Sequence, residues 1–166
     1  MRKKQQHGLP LRRKRQSKTD YRRRLRLLKS KKLRLVVRIS SKNVLAQVVE
    51  YQENGDKVMV SAYSRELTKQ YGWNIARRNT PCAYLTGYLL GTKAVKKNLK
   101  EAVVDLGLQK PIRGSLLFAV VKGAQDAGLQ LPCSSEVFPS EERLKGKHIK
   151  NVPFDQVLGA IKTKAK

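Results

Sequence analysis

The chain has 166 residues, of which 37 are Lys or Arg and 12 are Asp or Glu, so its formal net charge at pH 7 is +25. This length suits one globular domain with extensions, and clustered basic residues favour a nucleic-acid partner, because each neutralised phosphate releases condensed counterions. The basic N-terminus is not followed by an apolar stretch, and no run of residues is long enough to span a bilayer. We therefore expect a soluble, intracellular protein without a membrane partner.

The chain begins with a basic arm. Residues 1–34 contain 16 Lys and Arg but a single acid, Asp20, and so carry +15 of the net charge. We expect this arm not to fold by itself but to become ordered on a polyanion, since its like charges repel one another. Its arginines favour bidentate contacts with phosphates, and Tyr21 can stack on a base or a sugar.

Three predicted strands follow the arm. Alternating apolar residues over 33–39 predict a strand with one apolar face and one mixed, partly basic face. A second strand is predicted for residues 44–51 and a third for residues 57–63. Between the second and third strands, Asn54-Gly55 supplies the positive φ angles that a tight hairpin turn requires. The three strands predict an antiparallel meander.

A long helix is predicted next. Thr80 can cap its free amides, Pro81 suits its first position, and the helix runs to about Asn98. Its middle is apolar on nearly all sides, so we expect it to pack centrally against the sheet. Gly87 and Gly91 lie one turn apart and would let a neighbouring backbone approach closely.

The rest of the chain predicts one more strand and three helices. A buried strand over residues 101–106 follows a helical crossover and should run parallel to its nearest neighbour, and a helix over 115–127 follows it. A short helix is expected between Ser140 and Gly146. Apolar residues at helical spacing over 154–161 predict an amphipathic helix that docks on the body or on a partner.

These elements predict one α/β domain with a mixed sheet, in which an antiparallel three-strand meander is followed by helix, strand and helix. We divide the chain into a basic RNA-binding arm (residues 1–32), an α/β globular body (33–130) and a C-terminal extension with short helices (131–166).

The sequence contains little that predicts catalysis or a cofactor. His7 and His148 lie far apart, and no residue pattern surrounds either of them. Asp105 closes a buried strand, where a phosphoryl-transfer enzyme can hold a metal ion, but two-metal chemistry needs several carboxylates. Cys82 and Cys133 have neither metal-ligand spacing nor a disulfide framework. We expect no metal, no cofactor and no enzymatic activity, with a metal-dependent nuclease as the weaker alternative.

RNA fits the sequence better than DNA. We find neither a recognition helix with base-reading residues nor a basic helix followed by heptads. Beyond the arm, the predicted RNA-binding surface continues over basic positions that we expect to be exposed: Arg34, Arg38, Arg77 and Arg78. Lys93, Lys96 and Lys97 either extend this surface or stabilise the end of their helix through its dipole.

Five separated motifs carry a resemblance to a known family. In chain order they are Lys18-Thr19-Asp20-Tyr21-Arg22, Arg34-Leu35-Val36-Val37-Arg38, Asn79-Thr80-Pro81 with Ala83-Tyr84-Leu85-Thr86-Gly87, Asp126-Ala127-Gly128-Leu129, and Pro139-Ser140-Glu141-Glu142-Arg143. Through them the chain resembles the archaeal form of the universal large-subunit ribosomal protein family numbered eighteen, which binds 5S rRNA.

The resemblance implies a ribonuclease-H-like body without that fold's catalytic acids. It also implies a structural, non-catalytic protein of the large ribosomal subunit in the cytoplasm, which attaches 5S rRNA to 23S rRNA in the central protuberance. Neighbouring ribosomal proteins are further implied partners, DNA is not expected, and a general RNA chaperone is the alternative. The arm residues that the resemblance places at the RNA are Arg12, Arg13, Arg15, Lys18, Thr19, Tyr21, Arg22, Arg23 and Arg24.

Overall fold

The computed structural model describes residues 8–165. Its elements are α1 (Arg12–Arg15), α2 (Tyr21–Leu28), β1 (Arg34–Ile39), β2 (Val44–Glu50), β3 (Lys57–Tyr63), α3 (Ser64–Gln70), α4 (Thr80–Lys96), β4 (Val103–Asp105), α5 (Leu116–Asp126), a 3-10 helix (Ser135–Val137), α6 (Glu141–Lys145) and α7 (Phe154–Ala165). No helix of this described part is both long and apolar enough to cross a membrane. The first seven residues of the predicted arm, His7 among them, lie outside the described residues.

The strands form a mixed sheet with the order β3-β2-β1-β4. β2 pairs antiparallel with both β1 and β3, whereas β4 pairs parallel with β1 and places Asp105 opposite Val36. The structure confirms the predicted meander, the parallel fourth strand and the mixed α/β class. β3 and β4 are the two edges of this sheet.

The connection between β2 and β3 is longer than a tight hairpin. The ladder ends at the pair Glu50 and Lys57, and in the loop the N–H of Gly55 donates to the carbonyl oxygen of Gln52 at 3.1 Å. Gly55 has a φ of +140°, but Asn54 is not in a positive-φ conformation. The predicted turn is therefore wrong in this detail, because only the glycine adopts the unusual backbone.

α4 is the central helix, and Asn79 caps it. The Oδ1 atom of Asn79 accepts the N–H of Cys82 at 2.9 Å, while Thr80 is buried inside the first turn. The prediction of Thr80 as the cap is wrong by one residue. Both side chains can accept such a bond, and the cap is the one whose backbone is still extended.

The predicted close approach at the α4 glycines is confirmed, and the neighbour is α5. A Cβ atom on Gly87 would lie 2.0 Å from the carbonyl oxygen of Val120. In the opposite direction, a Cβ atom on Gly123 would lie 2.1 Å from the carbonyl oxygen of Tyr84. Gly91 meets α5 at a similarly short distance. The two helices therefore cross with backbone against backbone.

The core lies between the sheet and these helices and includes residues near the C-terminus. Leu35 and Val37 of β1 are fully buried, as the alternating pattern predicts. Phe154 and Ile161 of α7 join the same core, and the ring of Phe154 lies 5.7 Å from that of Tyr84. The predicted helices α6 and α7 are confirmed, and α7 docks on the body.

The sequence pattern predicts no secondary structure for residues 64–78, which follow β3. α3 begins directly after the strand and buries only Ser64 and Leu67. Trp73 is fully buried in the next loop, where its Nε1–H donates to the carbonyl oxygen of Ala76 at 3.2 Å. A helix of two turns is too short to show a recognisable period.

Candidate nucleic-acid interface

The basic arm contains two helices. The Oδ1 atom of Asp20 accepts the backbone N–H groups of Arg22 and Arg23 at 3.0 and 3.1 Å, which caps α2. Nε of Arg13, in α1, donates to Oγ1 of Thr19, in the loop before α2, at 2.9 Å. In the described part of the arm, capping and contacts with the body offset the repulsion between basic side chains, and the expectation that the arm does not fold by itself stays a prediction.

Two arginines tie α2 to the body. Nη1 of Arg23 donates to the carbonyl oxygen of Gly107, in the loop after β4, at 3.0 Å. Nη2 of Arg24 lies 2.8 Å from Oδ1 of Asp56, in the loop before β3. α2 is thus attached to loops that extend from two different strands, and together they define its position.

Arg34, behind Asp56, is buried. Its side chain is 1% exposed, and its Nη1 atom lies 2.9 Å from Oδ2 of Asp105. Its Nη2 atom lies 2.7 Å from Oδ2 of Asp56, an ion pair without hydrogen-bond alignment. The prediction that Arg34 is exposed is wrong, because two carboxylates from distant parts of the chain close over it.

Asp105 completes this network of charges. Its Oδ1 atom accepts the N–H of Gly107 at 2.8 Å and lies 3.3 Å from Nη2 of Arg38. Nη1 of Arg38 also donates to the carbonyl oxygen of Asp105 at 2.9 Å, while 43% of the Arg38 side chain stays exposed. Both carboxylate oxygens of Asp105 are thus bound by the chain itself. This is the arrangement of a structural ion pair rather than of a metal ligand.

The same contacts set the charge state of Asp56. Burial alone raises the pKa of this carboxyl, but the guanidinium groups of Arg24 and Arg34 more than offset it and lower the pKa below its ordinary value. Asp56 is therefore ionised at neutral pH and stays paired with both arginines.

A cleft of about 570 Å³ opens where the arm meets the body. It brings together seven of the predicted site residues: Arg13, Lys18, Thr19, Tyr21, Arg23, Arg24 and Arg38. Asp20, Asp56 and Asp105 also line it, so five basic side chains face three acidic ones and the excess charge is positive.

The other predicted residues do not line this cleft. Arg12, Arg15 and Arg22 are exposed on the arm. Arg77 is half-buried and Arg78 exposed in the loop before α4. The structure therefore brings the arm and Arg38 together but does not bring Arg77 and Arg78 to the same place.

Sequence reasoning singled out neither Arg26 of α2, nor Lys29 at the C-terminal end of this helix, nor Asp20 as its cap. Arg26 and Lys29 are exposed, and with Arg22 they share one side of the helix because residues three or four apart are neighbours. Asp20 just before the basic run was the available signal. Because Asp20 can cap a helix, it predicts that the residues after it are helical. Basic residues in a helix are divided between its different sides.

Two of the lysines at the end of α4 contact the edge strand β3. Nζ of Lys93 lies 3.0 Å from the carbonyl oxygen of Ser61 and 2.6 Å from Oε2 of Glu66. Nζ of Lys97 lies 2.8 Å from the carbonyl oxygen of Met59. These contacts use backbone carbonyl oxygens of β3 that an additional strand would need in order to pair with this edge. Neither of the two roles predicted from the sequence for these lysines, RNA binding or stabilisation of the helix end, included this one.

The two cysteines differ in accessibility. Cys82 is fully buried in the core, and burial raises the pKa of its thiol to about 12. Cys133 is only partly buried, which also raises its thiol pKa. Within residues 8–165 no group of three or more His, Cys, Asp or Glu could hold a metal ion.

Sequence comparisons relate the chain to known proteins of the ribosome. A family model described as "Ribosomal large subunit proteins 60S L5, and 50S L18" matches residues 5–103, which include most of the arm, the meander and α4. The large ribosomal subunit protein uL18 of the archaeon Aeropyrum pernix is 50% identical over 143 residues. That alignment covers 86% of this chain and 67% of the relative.

Proposed function

Because the chain belongs to the family of ribosomal large subunit proteins 60S L5 and 50S L18, in its archaeal form, we propose that it binds 5S rRNA and helps attach it to 23S rRNA in the central protuberance. Membership of this family makes it a structural component of the large ribosomal subunit, located in the cytoplasm, and not an enzyme. Ribosomal RNA and other ribosomal proteins are its partners, so the proposal concerns which RNAs it binds and through which residues.

The observation that supports this proposal most strongly is the cleft shared by the arm and the body. Its excess positive charge attracts phosphates, and the half-buried ring of Tyr21 in its wall can stack on an unpaired base or a sugar. A surface built from two parts of the chain recognises shape, which suits a folded RNA better than a uniform duplex.

We propose that the predicted arm residues and Arg38 contact the RNA directly. Arg34 acts through its carboxylate partners, because its guanidinium is 1% exposed. Arg77 and Arg78 lie outside the cleft and would contact a separate part of the RNA.

The division into arm (1–32), body (33–130) and C-terminal extension (131–166) is part of the proposal, as is the ribonuclease-H-like character of the body. The strand order β3-β2-β1-β4, with β4 parallel to β1, supports that fold. The pairing of Asp105 with two arginines supports the absence of the fold's catalytic acids.

The test is 5S rRNA binding by the full chain with Arg13, Lys18 and Arg22 replaced together by Gln. If each contacts one phosphate, the slope of log K against log salt should become shallower by about two to three, and affinity should fall at all salt concentrations. Affinity would be measured by filter binding or anisotropy between about 50 and 200 mM salt.

A matched control removes the same charge elsewhere. Lys42, Lys69 and Lys150 are exposed and do not line the cleft. Their triple replacement by Gln should leave the slope nearly unchanged, and an equal loss in both variants would contradict the proposed site. If unrelated transfer RNA competes as well as 5S rRNA, the general RNA chaperone is the better description.

A further inference from the structure

α2 has two sides with different surroundings. Arg23 and Arg24 point toward the body and are half-buried, whereas Arg22, Arg26 and Lys29 are exposed on the other side. Within the described residues, no carboxylate lies within ion-pair distance of these three. Among the described residues, Arg24 is therefore the basic residue of α2 whose charge is neutralised by a carboxylate.

The contacts on the side of α2 that faces the body are few and specific. Arg23 donates to a backbone carbonyl, so among the described residues the carboxylate that holds α2 is that of Asp56. The side chain of Asp56 is 26% exposed and also contacts buried Arg34, so its position is fixed by the body. Arg24 thus meets a carboxylate that is already in place.

We propose that Asp56 is a positioning residue that holds α2 on the body through Arg24, so that Arg22, Arg26 and Lys29 face the RNA. This inference rests on the proposed function and assigns Arg26 and Lys29 as additional RNA-binding residues. An acid in an RNA-binding surface weakens attraction to phosphates, so its removal should strengthen binding if charge alone mattered. We expect the removal of Asp56 to weaken binding instead, because a helix that is already oriented loses less entropy on binding.

The test compares Asp56→Asn with Glu53→Gln in the full chain. Glu53 lies in the same loop, is exposed and has no ion-pair partner among the described residues, so both variants gain the same charge. Asp56→Asn should weaken 5S rRNA binding about threefold to tenfold at fixed salt, as expected when the partly exposed ion pair with Arg24 no longer holds α2, whereas Glu53→Gln should bind equally well or more tightly. Binding by Asp56→Asn that is as tight as that of Glu53→Gln would overturn the proposal.

A double-mutant cycle separates positioning of α2 from a general structural role of Asp56. In an Arg24→Ala background, Asp56→Asn should cause little further loss of affinity, because the contact that it supports is already absent. An undiminished loss in that background would show that Asp56 acts through Arg34 and the body instead, which would refute the inference.

Hydrogen exchange of the free protein distinguishes failure of this inference from failure of the proposed function. Backbone amides of residues 21–28 should exchange faster in Asp56→Asn than in Glu53→Gln, while those of β1 and β2 stay protected. If this difference appears but no variant binds 5S rRNA, the positioning stands and the RNA assignment fails. Unchanged exchange in α2 would overturn the positioning itself.

The outer side of α2 is tested by Arg26→Gln combined with Lys29→Gln. This variant should make the salt slope for 5S rRNA shallower by about 1.5 to 2 and leave exchange in α2 unaltered. An unchanged slope would remove Arg26 and Lys29 from the RNA-binding surface.

Discussion

The crossing of α4 and α5 predicts that Gly87→Ala destabilises the protein, although alanine is the better helix former. The added Cβ would lie 2.0 Å from the carbonyl oxygen of Val120, 2.8 Å from its carbonyl carbon and 2.9 Å from its Cα. Real Cβ atoms essentially never approach closer than 3.0 Å, so the two helices must separate locally by about an ångström. All three contacts are with backbone, which cannot move aside by changing a rotamer.

The magnitude follows from two opposing effects. Replacing glycine by alanine inside a helix stabilises it by about 1 kcal/mol. Overpacking a close-packed core costs about 1 to 3 kcal/mol, or more when the backbone must shift. We expect the upper end here and a net loss of about 2 kcal/mol in the free energy of unfolding. For a chain of this length that lowers Tm by about 4 to 8 °C.

Thermal and urea unfolding followed by circular dichroism measure this change. The matched control is Gly159→Ala in α7, where the new Cβ has no atom within 4 Å. That variant should be as stable as the original protein or gain up to about 1 kcal/mol. If Gly87→Ala behaves like Gly159→Ala, the two helices do not cross at this distance, and the reasoning is refuted.

Three further predictions concern charged and nucleophilic groups. Asp105→Asn should lower the free energy of unfolding by about 2 kcal/mol or more in urea, because it weakens the pairing of buried Arg34; a loss below about 0.5 kcal/mol would contradict this. Cys133 should react with iodoacetamide in the native protein while Cys82 does not, and mass spectrometry showing equal labelling would refute the difference in burial. Because the pKa of Asp56 is lowered on folding, its contribution to stability is present above its ordinary pKa of about 4 and is lost as pH falls through the lowered value. The Tm advantage of the original protein over Asp56→Asn should therefore shrink below about pH 4, and a gap that is independent of pH would speak against the ion pair.

Sequence reasoning succeeded where the signal is local. Alternating residues identified β1 with buried Leu35 and Val37, and Ser140 with Gly146 correctly bounded α6. Glycine spacing in α4 correctly indicated a close neighbour. Each of these features depends on residues within a few positions of one another, and the conformational preferences of such residues can be recognised from the sequence alone.

The burial and the ion-pair partners of Arg34 could not be predicted from neighbouring residues in the sequence. Alternation assigns it to a face of β1, but its partner Asp105 lies 71 residues away in sequence. The contact exists only because a parallel crossover brings β4 beside β1. The same holds for Arg24, whose partner Asp56 enters through the β2–β3 loop. The sequence therefore predicted seven of the residues that line the cleft but not which of its basic groups are neutralised.

The two acids Asp56 and Asp105 affect RNA binding in two opposite ways, through the net charge of this surface and through the orientation of its basic groups. Each of Asp56 and Asp105 lowers the attraction for phosphates, and a design guided by charge alone would omit both. They occur where the arm meets the body, each between two arginines. Arg24 is the one of these arginines that belongs to α2, and in our proposal its pairing with Asp56 fixes the orientation of the helix and keeps Arg22, Arg26 and Lys29 exposed. If orientation contributes more to recognition than two extra positive charges, then removing the acids raises the net charge of the protein and nevertheless lowers its affinity for a folded RNA.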